Sequence, residues 1–344
     1  MNIVFSILLA VLMFGLIIMI HELGHFITAK LGGIKVNEFA IGMGPTLLKR
    51  QKGETTYALR AVPIGGFVAM EGEDEDSADE RAFSRRPVWI RILVVIAGAL
   101  MNLVLGFVIL IILTSASKLV PTTTVAKFDE TSLSAQSGLQ VGDEVLSING
   151  RRIYIANDID FELMRDKDGY VDMTVLRDGE KVTLTGVQFA LAQDDNGNQF
   201  ISRDFWVLGV PKTVGGVLKE SALKTVSIGK MVWVSLLDLI TGNVPISQVA
   251  GPVGTVDIIN QAVSMGWETT LNMLALLTIN VGIFNLLPIP ALDGGRLVFL
   301  LIEAIRRKPI KAKYEGFVHA AGFLLLIGFM LFVTYSDITR IFAR

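Results

Sequence analysis

Long apolar runs alternate along this chain with stretches in which apolar and polar residues change places every one or two positions. The first run, residues 3–20 (IVFSILLAVLMFGLIIMI), is about as long as a bilayer core requires. Further runs cover 92–114, 270–289 and 317–335, the third ending in NLLPIP. Together they predict about four spanning helices, the first reaching to residue 25. A cleaved signal peptide is the other reading of the first run, but no basic segment precedes it and no small-residue cleavage site follows. Segments 216–240 and 246–266 carry apolar residues at helical spacing with few charges, and the first reads as an amphipathic or interfacial helix.

Between the first two runs, residues 34–70 read as strands and turns punctuated by Pro63, Gly65 and Gly66. The acidic stretch Glu71–Glu80 that follows reads as a solvated loop. Residues 115–213 alternate in short runs, as in YVDMTVLRDGEKVTLTG, where Asp178-Gly179 marks a hairpin. The stretch SAQSGLQVGDEVLSINGRRI resembles the core of PDZ domains through Gly142, Asp143, Val145, Ile148, Asn149 and Gly150. On that resemblance 155–166 is the second PDZ helix, and a peptide groove lies between it and Thr124–Phe128. Residues 188–213 read as a further strand pair around Asp194-Asp195-Asn196-Gly197.

Composition agrees with a membrane protein: 51% of the 344 residues are hydrophobic. The net charge of -2 gives no reason to expect nucleic acid as a partner. With no cysteine, thiol catalysis, disulfides and cysteine-ligated metals are excluded. Basic residues orient the spans. Segment 26–91 holds ten Lys/Arg and 306–313 holds five, so both read as cytoplasmic. Segment 115–213 also holds ten, but against 15 Asp/Glu, and long domains translocate largely regardless of charge.

Only three histidines exist, His21, His25 and His319. The first two belong to His21-Glu22-Leu23-Gly24-His25, an H-E-x-x-H pattern. On a helix, positions i and i+4 share a face, so both imidazoles reach one ion and the intervening glutamate reaches water on it. Zinc at such a site lowers the pKa of water to about 7, and Glu22 is the candidate general base. A catalytic zinc needs a third protein ligand. Asp293 is the candidate, because it follows a proline-broken apolar helix and precedes two glycines (NLLPIPALDGG, 285–295), and broken helices at membrane depth line cavities or pack within protein. An aspartate ending a helix at the cytoplasmic face remains the alternative. The orientation places His21 and Asp293 at one depth. His319 reads as an interfacial or packed histidine.

These pieces together resemble the site-2 protease family of intramembrane metalloproteases, and most closely its bacterial regulator-of-sigma branch. The resemblance covers nearly the whole chain through HELGH at 21–25, GGFVAMEGE at 65–73, AGALMN at 97–102, the PDZ-like region and NLLPIPALDGG at 285–295. It implies zinc held by His21, His25 and Asp293, with Glu22 as catalytic base. It implies that Asn280 and Asn285 help hold the substrate backbone, although helix packing is an equal reading of their residue type. It implies a membrane-associated β-loop around Gly65–Glu71. In it Gly66, Phe67, Val68 and Met70 would bind substrate as an edge strand, replacing backbone hydrogen bonds of an unwound helix. Ala99 stands where the family's second-span motif has proline, and one PDZ domain stands where proteobacterial members have two.

The expected fold is thus an α-helical polytopic membrane protein with an inserted extracytoplasmic PDZ-like α+β domain. Its parts are a membrane domain at 1–114 and 267–344, the PDZ-like domain at 115–190, and a β extension with an amphipathic helical region at 191–266. The expected partners are single-span membrane substrates, lipid and an upstream protease acting on the same substrate, in a bacterial inner membrane with the active site toward the cytoplasm. Two other classes are weighed. A di-iron desaturase needs more histidines than three. A non-catalytic PDZ scaffold leaves Glu22 and Asp293 without a purpose in costly positions.

Overall fold

The computed structural model describes residues 3–73, 75, 77–193, 199–243, 249–310 and 312–342. In chain order its elements are α1 (Ile3–Leu31), β1 (Val36–Lys52), β2 (Thr55–Met70), α2 (Val88–Ala116), β3 (Val120–Phe128), α3 (Leu133–Gln136), β4 (Glu144–Ile148) and β5 (Arg151–Arg152). There follow α4 (Ala156–Arg165), β6 (Tyr170–Arg177), β7 (Glu180–Gln188), β8 (Leu191–Gln193), β9 (Gln199–Ile201) and β10 (Phe205–Val210). The chain closes with α5 (Val214–Ile240), α6 (Pro252–Ser264), α7 (Trp267–Leu286), α8 (Asp293–Arg306) and α9 (Ala312–Phe342). Two compact units result, Met1–Ile109 with Val232–Arg344, and Leu110–Met231.

Four described helices are long and apolar enough to cross a membrane: Val4–Leu31, Val88–Ala116, Trp267–Leu286 and Lys313–Thr339. Most run past the apolar stretches that predict them, because helix propensity continues into polar ends. The third stops at Leu286 instead of 289, since Pro288 cannot continue the hydrogen-bond ladder. Exposed apolar residues cover α9, as suits a helix facing lipid.

β1 and β2 pair antiparallel, and their register doubles back. Ala40 lies opposite Phe67 on one side and Ala58 on the other, and Phe39 opposite both Val68 and Tyr57. The first part of β1 is therefore sandwiched between two parts of β2, with bends at Gly42, Gly44 and Gly65, all at positive φ. Among the described residues, Gly66–Met70 pairs only with β1, so it keeps one edge without a strand partner. Val68 and Met70 point into a core that also contains Ala29, Ile34, Val36, Phe83, Val94, Val95 and Leu300, tying the hairpin to α1, α2 and α8.

The acidic stretch is more engaged than a solvated loop. Glu71 accepts from the Ser77 hydroxyl at 2.6 Å, Asn37 at 3.0 Å and Lys35 at 3.2 Å, and Glu73 pairs with Arg296 on α8. Asp74 and Asp76 lie outside the described residues.

The second unit contains a sheet ordered β10-β3-β4-β6-β7, with β5 paired to β4. Its core gathers Val125, Val145, Ile148, Ile159, Leu163, Met173, Val175 and Phe205. Asp178 and Gly179 turn between β6 and β7 with φ of 52° and 86°, the two positive values a tight hairpin turn of right-handed twist demands. The buried Asp143 carboxylate takes two hydrogen bonds from Arg177, at 2.7 and 2.8 Å. The groove expected beside Thr124–Phe128 has no free strand edge there. β3 lies inside the sheet, with Phe128 and Val125 opposite Phe205 and Val207 of β10, and Thr124 opposite Glu144. The outer edge belongs to β10. β8 and β9 pair with each other, and the turn expected at Asp194–Gly197 lies outside the described residues. The polar side of α5 meets α4: Ser227 donates to the buried Asp158, and Lys230 pairs with Glu162 at 2.8 Å.

The Glu71 contacts make a testable pH dependence. The Ser77 hydroxyl first, then Asn37 and Lys35, hold its carboxyl down to about 2 from an ordinary 4.5. The folded value lies below the unfolded one, so this contribution is complete above the ordinary value and is lost as pH falls toward 2. The melting-temperature difference between wild type and Glu71→Gln is expected to be constant above about pH 5 and to narrow below it. A difference that stays constant down to about pH 3 would show that the charge of Glu71 contributes nothing.

Candidate metal centre

α1 carries His21 and His25 one turn apart, on the face it turns to α2. Two glycines make that approach possible. A Cβ at Gly24 would lie 2.7 Å from the Ala97 carbonyl carbon and 2.9 Å from Met101 Cγ, and a Cβ at Gly98 would lie 2.7 Å from His25 Cε1 and 2.8 Å from His21 Cε1. The backbone of α2 thus lies directly against the histidine pair.

Asp293 arrives from the other end of the sequence. Pro288 and Pro290 separate α7 from α8, and the intervening loop folds back over the first turn of α8. A Cβ at Gly294 or Gly295 would come within 2.6 Å of the carbonyl oxygen of Leu286 or Ile289 respectively, which is why glycines follow the aspartate. Asp293 begins α8, where the helix dipole favours a negative charge.

His21 Nε2 lies 3.0 Å from Asp293 Oδ2, His25 Nε2 lies 3.3 Å from the same oxygen, and the two Nε2 atoms lie 3.1 Å apart. Zinc bonded at about 2.0–2.1 Å in tetrahedral geometry spaces neighbouring donors by about 3.3 Å, so the three residues fit such an ion. The chemistry of the donors agrees. His25 Nδ1 sits 2.8 Å from the Val94 carbonyl and must carry a proton to donate to it, which leaves Nε2 its lone pair. His21 Nδ1 faces the Asn102 amide at 3.4 Å, and Asn102 Oδ1 is buried without a hydrogen-bond partner among the described residues. Rotating that amide by half a turn pairs Oδ1 with the His21 Nδ1–H and satisfies both groups. Three lone pairs then converge, and a cation among them relieves their repulsion.

Glu22 stands beside the trio, on α1 between the two histidines. The open stretch of β2 passes this candidate base so closely that a Cβ at Gly66 would lie 3.2 Å from Glu22 Cγ. Phe67 sits under the Arg60 guanidinium at 4.8 Å, whereas Val68 and Met70 bury their side chains and leave only backbone for a ligand. Asn285 and Asn280 lie on different faces of α7. Five positions separate them by about 140° around the helix. Asn285 shares the face of Thr278 and Gly282, which meets α2 at Asn102, while Asn280 keeps its Oδ1 buried without a hydrogen bond among the described residues. Neither is hydrogen-bonded to the trio among the described residues.

Residues with no sequence signal of their own hold α8, the helix that Asp293 begins. Arg91 on α2 grips Glu303 on α8 through both carboxylate oxygens, one at 3.1 Å. Arg296, one turn after Asp293, pairs with Glu73 and, at 3.6 Å, with Glu315 on α9.

Gly98→Ala tests the packing. The added methyl must push the imidazoles aside, so zinc affinity is expected to fall by about 10–100-fold, the range found when the surroundings of metal ligands are disturbed. Gly328→Ala, whose added Cβ meets nothing within 4 Å, is the control. Chelator competition on both variants measures the difference, and equal affinities would refute the packing argument.

Comparison with known proteins shows the family. The family model of peptidase family M50 matches residues 9–329. A protein of Clostridium perfringens (strain 13 / Type A) named as a zinc metalloprotease is 40% identical, over 96% of this chain and 98% of its own length. One of Fusobacterium nucleatum with the same description is 34% identical, over 97% and 99%. The regulator of sigma-W protease RasP of Bacillus subtilis (strain 168) is 31% identical, over 96% and 98%. Matched along most of its length, and with relatives of that description aligned almost end to end, the chain belongs to peptidase family M50 and is a multi-pass membrane zinc metalloprotease of the site-2 type.

Proposed function

We propose that this protein is an intramembrane endopeptidase that cuts the transmembrane segments of single-span membrane proteins. The observation that carries the reading is the junction of the His21–His25–Asp293 trio with Glu22 and an unpaired strand edge. A helical peptide bond is shielded because its carbonyl is already hydrogen-bonded along the helix. A substrate must therefore unwind before it is cut, and the open edge of Gly66–Met70 offers replacement backbone bonds by strand addition. That edge runs past Glu22, so a substrate strand laid on it lies beside the base.

His21, His25 and Asp293 hold the zinc. When bound, the ion supplies Lewis acidity that makes water nucleophilic near neutral pH and polarises the scissile carbonyl. Glu22 accepts the proton of the attacking water and returns it to the leaving amine. Asn285, on the α7 face that meets α2, is better placed than Asn280 to hold substrate backbone.

The basic segments 26–91 and 306–313 support an orientation with the catalytic end toward the cytoplasm of a bacterial inner membrane. Residues 115–190 then form an extracytoplasmic PDZ-like domain, and the helix–strand–turn motif from Ser134 to Arg152 supports that assignment. In this position it admits substrates already trimmed by an upstream protease. Anti-sigma factors so trimmed, and remnant signal peptides, are the substrate classes in view.

The decisive comparison is wild type against Glu22→Gln on a tagged, truncated single-span protein in liposomes. Cleavage is expected to fall about 10²–10⁴-fold in the variant while zinc is retained. Loss of zinc with activity would assign Glu22 to the metal, and undiminished cleavage would remove it from the mechanism.

A further inference from the structure

His319 takes no part in the trio, yet it holds the loop that delivers Asp293. Ala291, two residues before the aspartate, has φ of 76°, a left-handed conformation that a residue with a Cβ rarely adopts. Left-handed residues at functional sites persist where their surroundings hold them. In the same loop the N–H groups of Ile289, Leu292 and Gly295 bond to nearby loop carbonyls, those of Leu287, Ile289 and Leu292. The Ala291 N–H instead donates across 28 positions of sequence to His319 Nδ1 on α9, at 3.0 Å.

The contact is tight on both sides. The His319 ring leans on Phe299 of α8, centroids 5.7 Å apart, and a Cβ at Gly322, one turn further along α9, would lie 2.7 Å from the Pro290 carbonyl oxygen. α9 thus meets the loop through an acceptor and a bare backbone surface. Packing alone would need only the ring. A ring nitrogen set opposite an N–H that the loop itself leaves over is a more specific feature.

We propose that His319 is a positioning residue for the metal site: by pinning the left-handed Ala291 turn it sets the direction in which Asp293 presents its carboxylate. The proposal rests on the reading of Asp293 as a zinc ligand. It gives a helix that supplies no ligand a defined part in zinc binding.

Five variants of the protein in detergent test it, each read by chelator competition for zinc, by cleavage of a single-span substrate and by the melting temperature of the zinc-free protein. His319→Phe keeps a ring on Phe299 and removes the acceptor. Its zinc affinity is expected to fall about 10–100-fold with the zinc-free melting temperature little changed. His319→Asn, whose Oδ1 falls near the place of Nδ1, is expected to recover most of that loss. Gly322→Ala disturbs the same contact without touching His319 and is expected to weaken zinc relative to Gly328→Ala. Equal zinc affinities for His319→Phe, His319→Asn and wild type overturn the proposal. If His319→Phe does not fold, Gly322→Ala decides: weakened zinc supports the proposal and wild-type affinity overturns it. Asp293→Asn separates the two readings. Zinc retained in that variant refutes Asp293 as a ligand, whereas zinc lost there and kept in His319→Phe refutes only the positioning role.

Discussion

The metal centre depends on a backbone contact between two helices. Because neither Gly24 nor Gly98 has a side chain, α1 and α2 approach until the main chain of one lies against the imidazoles of the other. That contact puts the Val94 carbonyl within reach of His25 Nδ1 and the Asn102 amide beside His21, so one helix orients the histidines of its neighbour. The orientation decides which ring nitrogen is left for an ion. Asp293, the Glu22 carboxyl and the open strand of β2 are all arranged around a pair of rings already aimed by α2.

Much of this was legible in the sequence, and for definable reasons. The His21–His25 spacing needs no tertiary knowledge, because helix geometry alone places i and i+4 together. The break before Asp293 is signalled by Pro288 and Pro290, and the hairpin turn by Asp178-Gly179, since these residue types restrict the backbone locally. The edge character of Phe67–Met70 follows from a register that doubles back at glycines, and Gly65 and Gly66 mark that place in the chain.

What the sequence hides is partnership. Glu73, Arg91, Arg296 and Glu303 look like ordinary loop and helix-face charges, and nothing local says that they clamp α8. The acidic stretch reads as solvated because Lys35, its partner, lies 36 positions before Glu71. The strand expected to be an edge at Thr124–Phe128 is covered for a similar reason: β10, which pairs with it, follows it by some eighty residues and carries no mark of the pairing. The meaning of His319 depends on a backbone N–H that only the folded loop leaves over.

The grip of Arg91 on Glu303 has a consequence for how such a protein changes over generations. Both side chains are largely withdrawn from solvent. Replacing one alone strands the other as a bare charge, at a cost of roughly 3–5 kcal/mol, while replacing both with well-packed apolar residues is often neutral or stabilising. Ancestry can therefore move between a charged and an apolar version of this clamp only across a valley of poorly folded intermediates. Energetically the two positions act as a single character written at two places in the chain.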